Sequence, residues 1–138
     1  MAAALYDSGR EGFLSGSLDW DTQDIKIVLT DHTDATPNVS TDNALDDISA
    51  GTVDTSPNLG SKTTTGGVAD AANVTFTSVT GDAADSFSSY YDSTVAATSL
   101  LIHYDDAATG LPVTPNGGDI TITWADTGLD GAGGIFKL

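Results

Sequence analysis

The sequence predicts an all-β domain, a β-sandwich or β-barrel of short antiparallel strands with a short N-terminal helix, on three observations. Apolar residues alternate with a period of two in several short runs. Clusters of Gly, Asp, Asn, Ser and Pro separate those runs and mark turns. Gly, Thr, Ser and Asp dominate the remainder, and all are mediocre or poor helix formers. With 138 residues, 39% of them hydrophobic, the chain is expected to form one β domain (1–138) with a core that needs no staples.

The helix is expected within Leu5 to Ser17, where Tyr6, Phe13 and Leu14 recur on one stripe. Ser8 and Glu11 fit a capping box, and Gly16 suits the C-terminal stop. Gly9 and Gly12 weigh against it by about 1 kcal/mol each relative to Ala. The first strong strand follows: Ile25, Ile27 and Leu29 alternate with Lys26, Val28 and Thr30, giving one firmly apolar face. Leu18 and Trp20 alternate in the same way just before it, ahead of the turn-like Asp21-Thr22-Gln23. From residue 33 to 60 the signal fades into a loop-rich excursion that could reach a neighbouring subunit. Within it Thr41-Asp42-Asn43 could cap one helical turn through Leu45 and Ile48.

The second half reads more clearly. Val74, Phe76 and Val79 suggest one strand, Ser86 to Tyr91 another, and Thr98 to Tyr104 a third. In Asp119 to Trp124, Ile120, Ile122 and Trp124 are expected inside, with Thr121 and Thr123 outside. Gly128 to Gly134 reads as a turn leading to a last strand over Ile135 to Leu138, so that ITITW and IFKL would pair as a hairpin. Tyr90 and Tyr91 face opposite sides of their strand, which puts one ring in the core and makes the other a candidate contact for a partner or a sugar.

The net charge of −16, with only Arg10, Lys26, Lys62 and Lys137 as cations, argues against nucleic acid and against anionic membranes. Glu11 is the only glutamate, so the charge rests on aspartates, which favour turns and loop caps. The opening segment is too polar for a signal sequence and no apolar run approaches about 18 residues, so a soluble protein without a secretion address is expected.

Motifs for chemistry are sparse. Without cysteine, disulfides and thiolate chemistry are excluded. His32 and His103 lack any metal-ligand spacing, and both read as ordinary loop and strand residues. Asp19, Asp21 and Asp24, Asp46 and Asp47, and Asp105 and Asp106 invite calcium, but no EF-hand or calcium-repeat pattern accompanies them. They read as solvated loops, or at most as cation bridges between subunits. There is no GxSxG elbow and no phosphate loop, nothing in the sequence puts a serine beside either histidine, and abundant aspartates make any carboxylate pair uninformative. No catalytic residue, cofactor or metal is expected, and a non-enzymatic role follows.

The opening LYDSGREGFLSGSLDWDTQDIKIVLTD resembles the start of a family of small tailed-phage virion structural proteins, whose pattern runs LYD-x-GRE-x-FL-x-G, a Trp, then an IK-x-x-L strand. GVADAANVTFTSVTGDAAD, SLLIHYDDAATGLPVTPNGGDITITW and GGIFKL resemble the same family, and residues 33 to 60 match it least. The resemblance implies a capsid decoration, or cement, protein on the outer shell of a virion, made in the host bacterial cytoplasm. Its partners would be the major capsid protein and further copies of itself, with a trimer preferred. The segment carrying Leu5, Tyr6, Phe13, Leu14, Leu18 and Trp20 is the expected anchor, docking in a capsid groove or swapping into a sister subunit, unless it covers the protein's own core. Competing readings are a tail or head–tail junction subunit, a carbohydrate-binding module using Tyr90 or Tyr91, and a hydrolase built on His32 or His103.

Overall fold

The computed structural model describes residues 3–124 and 134–138. Strands dominate, as the patterning predicts, and every strand pairing is antiparallel. The strands are β1 (Ala4–Leu5), β2 (Ile25–Thr30), β3 (Thr52–Thr55), β4 (Val68–Ala69), β5 (Val74–Phe76), β6 (Ser86–Tyr91), β7 (Leu101–Asp105), β8 (Ile120–Ile122) and β9 (Phe136–Lys137), with one α-helix, α1 (Asp7–Ser15). Five strands form an open sheet in the order β1-β7-β6-β2-β3, while β4 with β9 and β5 with β8 make two small ribbons. The sheet does not close into a barrel, which leaves the layered, sandwich-like alternative.

The large sheet is covered on both faces. Ile25, Ile27 and Leu29 of β2, Phe87 of β6 and Ile102 of β7 meet Ala69, Val74, Phe76, Ile135 and Phe136 from the two ribbons, with Leu18, Trp20 and Leu59 completing that core. On the opposite face Val28, Tyr90, Leu101 and Tyr104 pack against Tyr6 and Ile48, with Val39 and Leu45 at the margin. Each fully buried Ile, Leu or Phe contributes about 1.5–3 kcal/mol.

The face of β2 opposite Ile25, Ile27 and Leu29 is covered as well: Val28 and Thr30 are buried, and Lys26 reaches partway to solvent, where it pairs with Asp92 at 2.6 Å. Two expectations are corrected. The segment from 33 to 60 does not leave the domain; it returns as a 3₁₀ helix over Leu45–Gly51, then β3, and seals the second face with Val39, Leu45 and Ile48. The C-terminal hairpin is absent as well, because ITI pairs with β5 and FK pairs with β4. The glycine-rich turn expected from Gly128 lies outside the described residues, apart from Gly134.

Helix α1 lies along the β7 edge just beyond β1. The Tyr6 N–H donates to the Ile102 carbonyl at 2.9 Å, and the Ser8 hydroxyl donates to the Leu101 carbonyl at 2.9 Å. Within the helix the buried residues are Ser8, Gly9 and Gly12; of the expected stripe, the N-cap Tyr6 is buried and Phe13 half-buried, while Leu14 faces solvent. A Cβ on Gly9 would lie 2.7 Å from the Ile102 carbonyl oxygen, so the two glycines that weaken the helix locally allow it to seat on the sheet. The expected capping box is not formed: Tyr6 is the N-cap and Ser8 lies inside the helix, its hydroxyl turned to the sheet edge. Gly16 ends the helix in the left-handed conformation, as expected.

Candidate functional site

Of the eight side chains expected to make an interface, five are spent on the protein's own core: Leu5, Tyr6, Leu18, Trp20 and Tyr90 are buried. The Trp20 indole N–H donates to the Asp70 carbonyl at 3.1 Å, and its ring meets Phe136 edge-on at 5.2 Å. The Tyr6 hydroxyl bonds Ser88 Oγ at 2.9 Å, and desolvation pushes its pKa up. Phe13 and Tyr91 are half-buried against the ribbon-side core. Tyr90 and Tyr91 do face opposite sides of β6, but both sides are covered, so neither is a free platform; burial raises the Tyr90 hydroxyl to about 12. Leu14 alone stands out, 90% exposed at the outer side of α1. Beside it runs a shallow groove lined by Ser8, Glu11, Gly12, Ser15, Asn43 and Leu100.

The histidines occupy different environments. His32 sits past the end of β2, its backbone N–H donating to Asp85 Oδ2 at 2.9 Å. Its Nε2 lies 2.8 Å from Ser86 Oγ and 3.4 Å from the Tyr104 hydroxyl, which donates to Asp106 Oδ2 at 3.0 Å. The His32 and Tyr104 rings stack at 6.2 Å. The fold therefore does place a serine beside a histidine, which the sequence left unsignalled because the two are 54 positions apart. Ser86 has no exposed surface, so its hydroxyl cannot reach a substrate, and the chain of hydrogen bonds joins β2, β6 and β7.

His103 is buried on the ribbon side of β7, and neither ring nitrogen has a hydrogen-bond partner among the described residues. Desolvation lowers its pKa to about 4, so it is neutral at physiological pH. It stacks on Phe136 at 5.7 Å and forms part of the wall of a cleft of about 710 Å³ between the large sheet and the β5–β8 ribbon.

The aspartate groups singled out from the sequence are mostly local caps. Asp19 Oδ1 accepts the backbone N–H groups of Asp21 and Thr22, and hydrogen bonding to Thr22 holds its pKa low. Asp47 Oδ2 accepts from the N–H groups of Asn43 and Ala44 at the start of the 3₁₀ helix, where the Thr41-Asp42-Asn43 segment is the expected cap. A cluster the sequence did not reveal is Asp31, Asp34 and Asp82, whose carboxylate oxygens lie within 4.8 Å of one another. Only Asp31 of the three is buried, and its Oδ1 is engaged by the Thr33 N–H.

No known protein-family model matches the chain, and no curated protein matches it. Among the described residues no helix is long and apolar enough to cross a membrane.

Proposed function

We propose that the chain is a non-enzymatic structural protein of a tailed-phage virion, a decoration protein that binds the outer capsid shell through the outer side of α1. One observation carries the reading: Leu14 is a fully presented apolar knob on a helix held rigidly against a sheet edge. Leu14 adds little to the fold, whereas the neighbouring large apolar residues of the segment are at least half-buried, and the shallow groove of Ser8, Glu11, Gly12, Asn43 and Leu100 beside it extends the surface it offers to a partner. The resemblance of the opening and closing segments to small virion proteins supports the same role. So does the charge of −16, which keeps particles coated with the protein from adhering to one another.

The test is direct. Purified particles should carry the polypeptide at a copy number close to that of the major capsid protein, and stripped particles should rebind wild type but not Leu14→Ser, whose melting temperature stays within about a degree of wild type. A copy number of a dozen or fewer would favour a head–tail junction subunit, and absence from washed infectious particles would overturn the assignment.

A further inference from the structure

We propose that Asn116 is a modification site, where the chain converts spontaneously to aspartate and isoaspartate at a rate controlled by the end of the β5–β8 ribbon. The inference is independent of the capsid role, because it rests on backbone chemistry in a loop rather than on α1.

The chemistry begins in the sequence. An asparagine amide is open to attack by the backbone nitrogen of the next residue, and a side chain on that residue obstructs the approach. Asn38, Asn43, Asn58 and Asn73 precede Val, Ala, Leu and Val, whereas Asn116 precedes Gly117. Asn116 and Gly117 are both exposed, and nothing stands within 4 Å of the position a Gly117 Cβ would take. The reaction needs only water and hydroxide. The Gly117 nitrogen loses its proton to hydroxide and bonds to Asn116 Cγ; the Cγ–Nδ2 bond breaks, and Nδ2 leaves as ammonia with a proton from solvent. Water then opens the cyclic imide at the Cγ carbonyl to give aspartate, or at the main-chain carbonyl to give isoaspartate, whose backbone runs through Cγ.

Two contacts act on that step in opposite directions. The Gly118 N–H donates to Asn116 Oδ1 at 2.9 Å. This closes a turn over the Asn116–Gly117 peptide and aims a donor at the oxygen that gains negative charge as Cγ is attacked. The Gly117 N–H, whose proton must leave, is donated to the Val79 carbonyl at 2.8 Å. Val79 is buried, so this acceptor is fixed in the core. While that bond stands, the nitrogen keeps its proton and the reaction is held back.

The gate is small. β5 and β8 have three residues each, and beyond them the loop is tied by the Val79 N–H to the Gly118 carbonyl at 2.9 Å and by the Ser78 N–H to Asp119 Oδ1 at 3.0 Å. Ser78 holds a left-handed backbone, φ 52°, which a non-glycine residue adopts at a cost. A short two-stranded ribbon with an exposed, strained end opens locally without global unfolding. Asn116 reacts from that open state. Isoaspartate then lengthens the backbone ahead of Gly117, so its N–H loses register with Val79 and the gate stays open.

The experiment incubates the full chain at mildly alkaline pH, folded or in guanidinium chloride. Peptide mapping by mass spectrometry follows conversion, and NMR reads exchange of the Gly117 amide proton. Asp130-Gly131 can form isoaspartate only without a change in mass, so mapping keeps the two sites apart. Asn116 should be the first asparagine to convert in either state, about tenfold or more slowly in the folded protein. Asp119→Ala removes the tie to Ser78 and should speed both conversion and Gly117 exchange in the folded protein by roughly fivefold, the factor for one hydrogen bond, with no change in denaturant. Asp119→Asn keeps an acceptor and should stay at the wild-type rate. Circular dichroism confirms that each variant is folded, and the wild-type comparison of folded with denatured chain stands without them. The proposal is overturned if another asparagine converts first, if folding gives no protection, or if Asp119→Ala leaves conversion unchanged.

Discussion

Replacing Gly9 by Ala sets two physical effects of opposite sign against each other. Helix propensity alone favours Ala by about 1 kcal/mol. The seating of α1 opposes it, since the new methyl would lie 2.7 Å from the Ile102 carbonyl oxygen and 2.9 Å from its Cα, both backbone atoms of a central-sheet strand. Neither atom can rotate away, so the helix must lift. Lifting stretches the Tyr6 N–H bond to Ile102 and the Ser8 hydroxyl bond to Leu101, each worth about 1 kcal/mol, and loosens the packing of Leu5 and Tyr6. With overpacking at about 1–3 kcal/mol and about 2 kcal/mol from the two bonds, set against about 1 kcal/mol of propensity, the net expectation is a loss of about 2–4 kcal/mol, or roughly 6–13 °C in Tm. Urea unfolding followed by tryptophan fluorescence measures it, with an unchanged m-value showing that only stability has moved. Two neighbouring glycines act as controls. Gly12→Ala would meet Cδ1 and Cγ of the buried Leu18 at 2.5 and 2.6 Å, so the whole Leu18 side chain must move and the cost should be comparable. Gly16→Ala meets no atom but must hold φ near 80°, and should cost about 1 kcal/mol through the backbone alone. Stabilisation by Gly9→Ala would refute the close seating of α1.

The remaining predictions concern charge. Burial depresses the His103 pKa from 6.5 to about 4, so below pH 6.5 the unfolded chain takes up a proton that the folded chain refuses. That contribution to stability is complete above pH 6.5 and lost as pH falls toward 4; His103→Phe should flatten the fall, and parallel wild-type and variant curves would contradict it. Raising NaCl from low ionic strength to about 0.5 M should raise Tm, because the excess of carboxylates repels itself and salt screens that repulsion. Asp82→Asn, which removes one of three crowded carboxylates, should raise Tm by roughly one to three degrees at low salt and by less at high salt. Lys26→Met removes the hydrogen bond that holds Asp92 below the usual carboxylate range, so the Asp92 pKa, read by NMR, should rise.

The strands were legible where burial and alternation coincide. Ser86 to Tyr91 is bounded correctly, β2, β5, β8 and β9 all lie within the runs read as strands, and β7 overlaps its run but continues one residue past it, to Asp105. What alternation could not show was that the sheet has two covered faces. Ser86, Ser88 and Ser89 look like surface residues in sequence, yet all three are fully buried, where a small side chain fits and hydroxyls join Tyr6 and His32. Propensity misled in α1, because Gly9 and Gly12 count against a helix only when nothing needs to approach it. The C-terminal hairpin failed for a related reason: adjacency in sequence favours ITITW with IFKL, whereas the fold pairs each with an earlier strand. The Ser86–His32 contact and the Asp31, Asp34 and Asp82 cluster arise from tertiary structure and leave no spacing signal.

The same two-sided burial limits how the protein can hold a partner. Among the described residues the large apolar side chains left exposed are Leu14, Val95 and Leu138, because the core has absorbed the rest. Burying Leu14 against a capsid contributes at most about 1.5–3 kcal/mol, whereas a micromolar complex needs about 8. Ion pairs offer little compensation: Arg10 is engaged with Asp7, Lys26 with Asp92, and the Lys62 ammonium donates to the Gln23 carbonyl. If the proposed capsid role holds, a single copy would be a weak ligand, and firm attachment would require several Leu14 knobs acting together, which multiplies weak contacts through effective concentration. Particle binding measured across protein concentration should then rise in step with self-association, as followed by analytical ultracentrifugation. Tight binding by a demonstrably monomeric protein would show that recognition lies elsewhere on the surface.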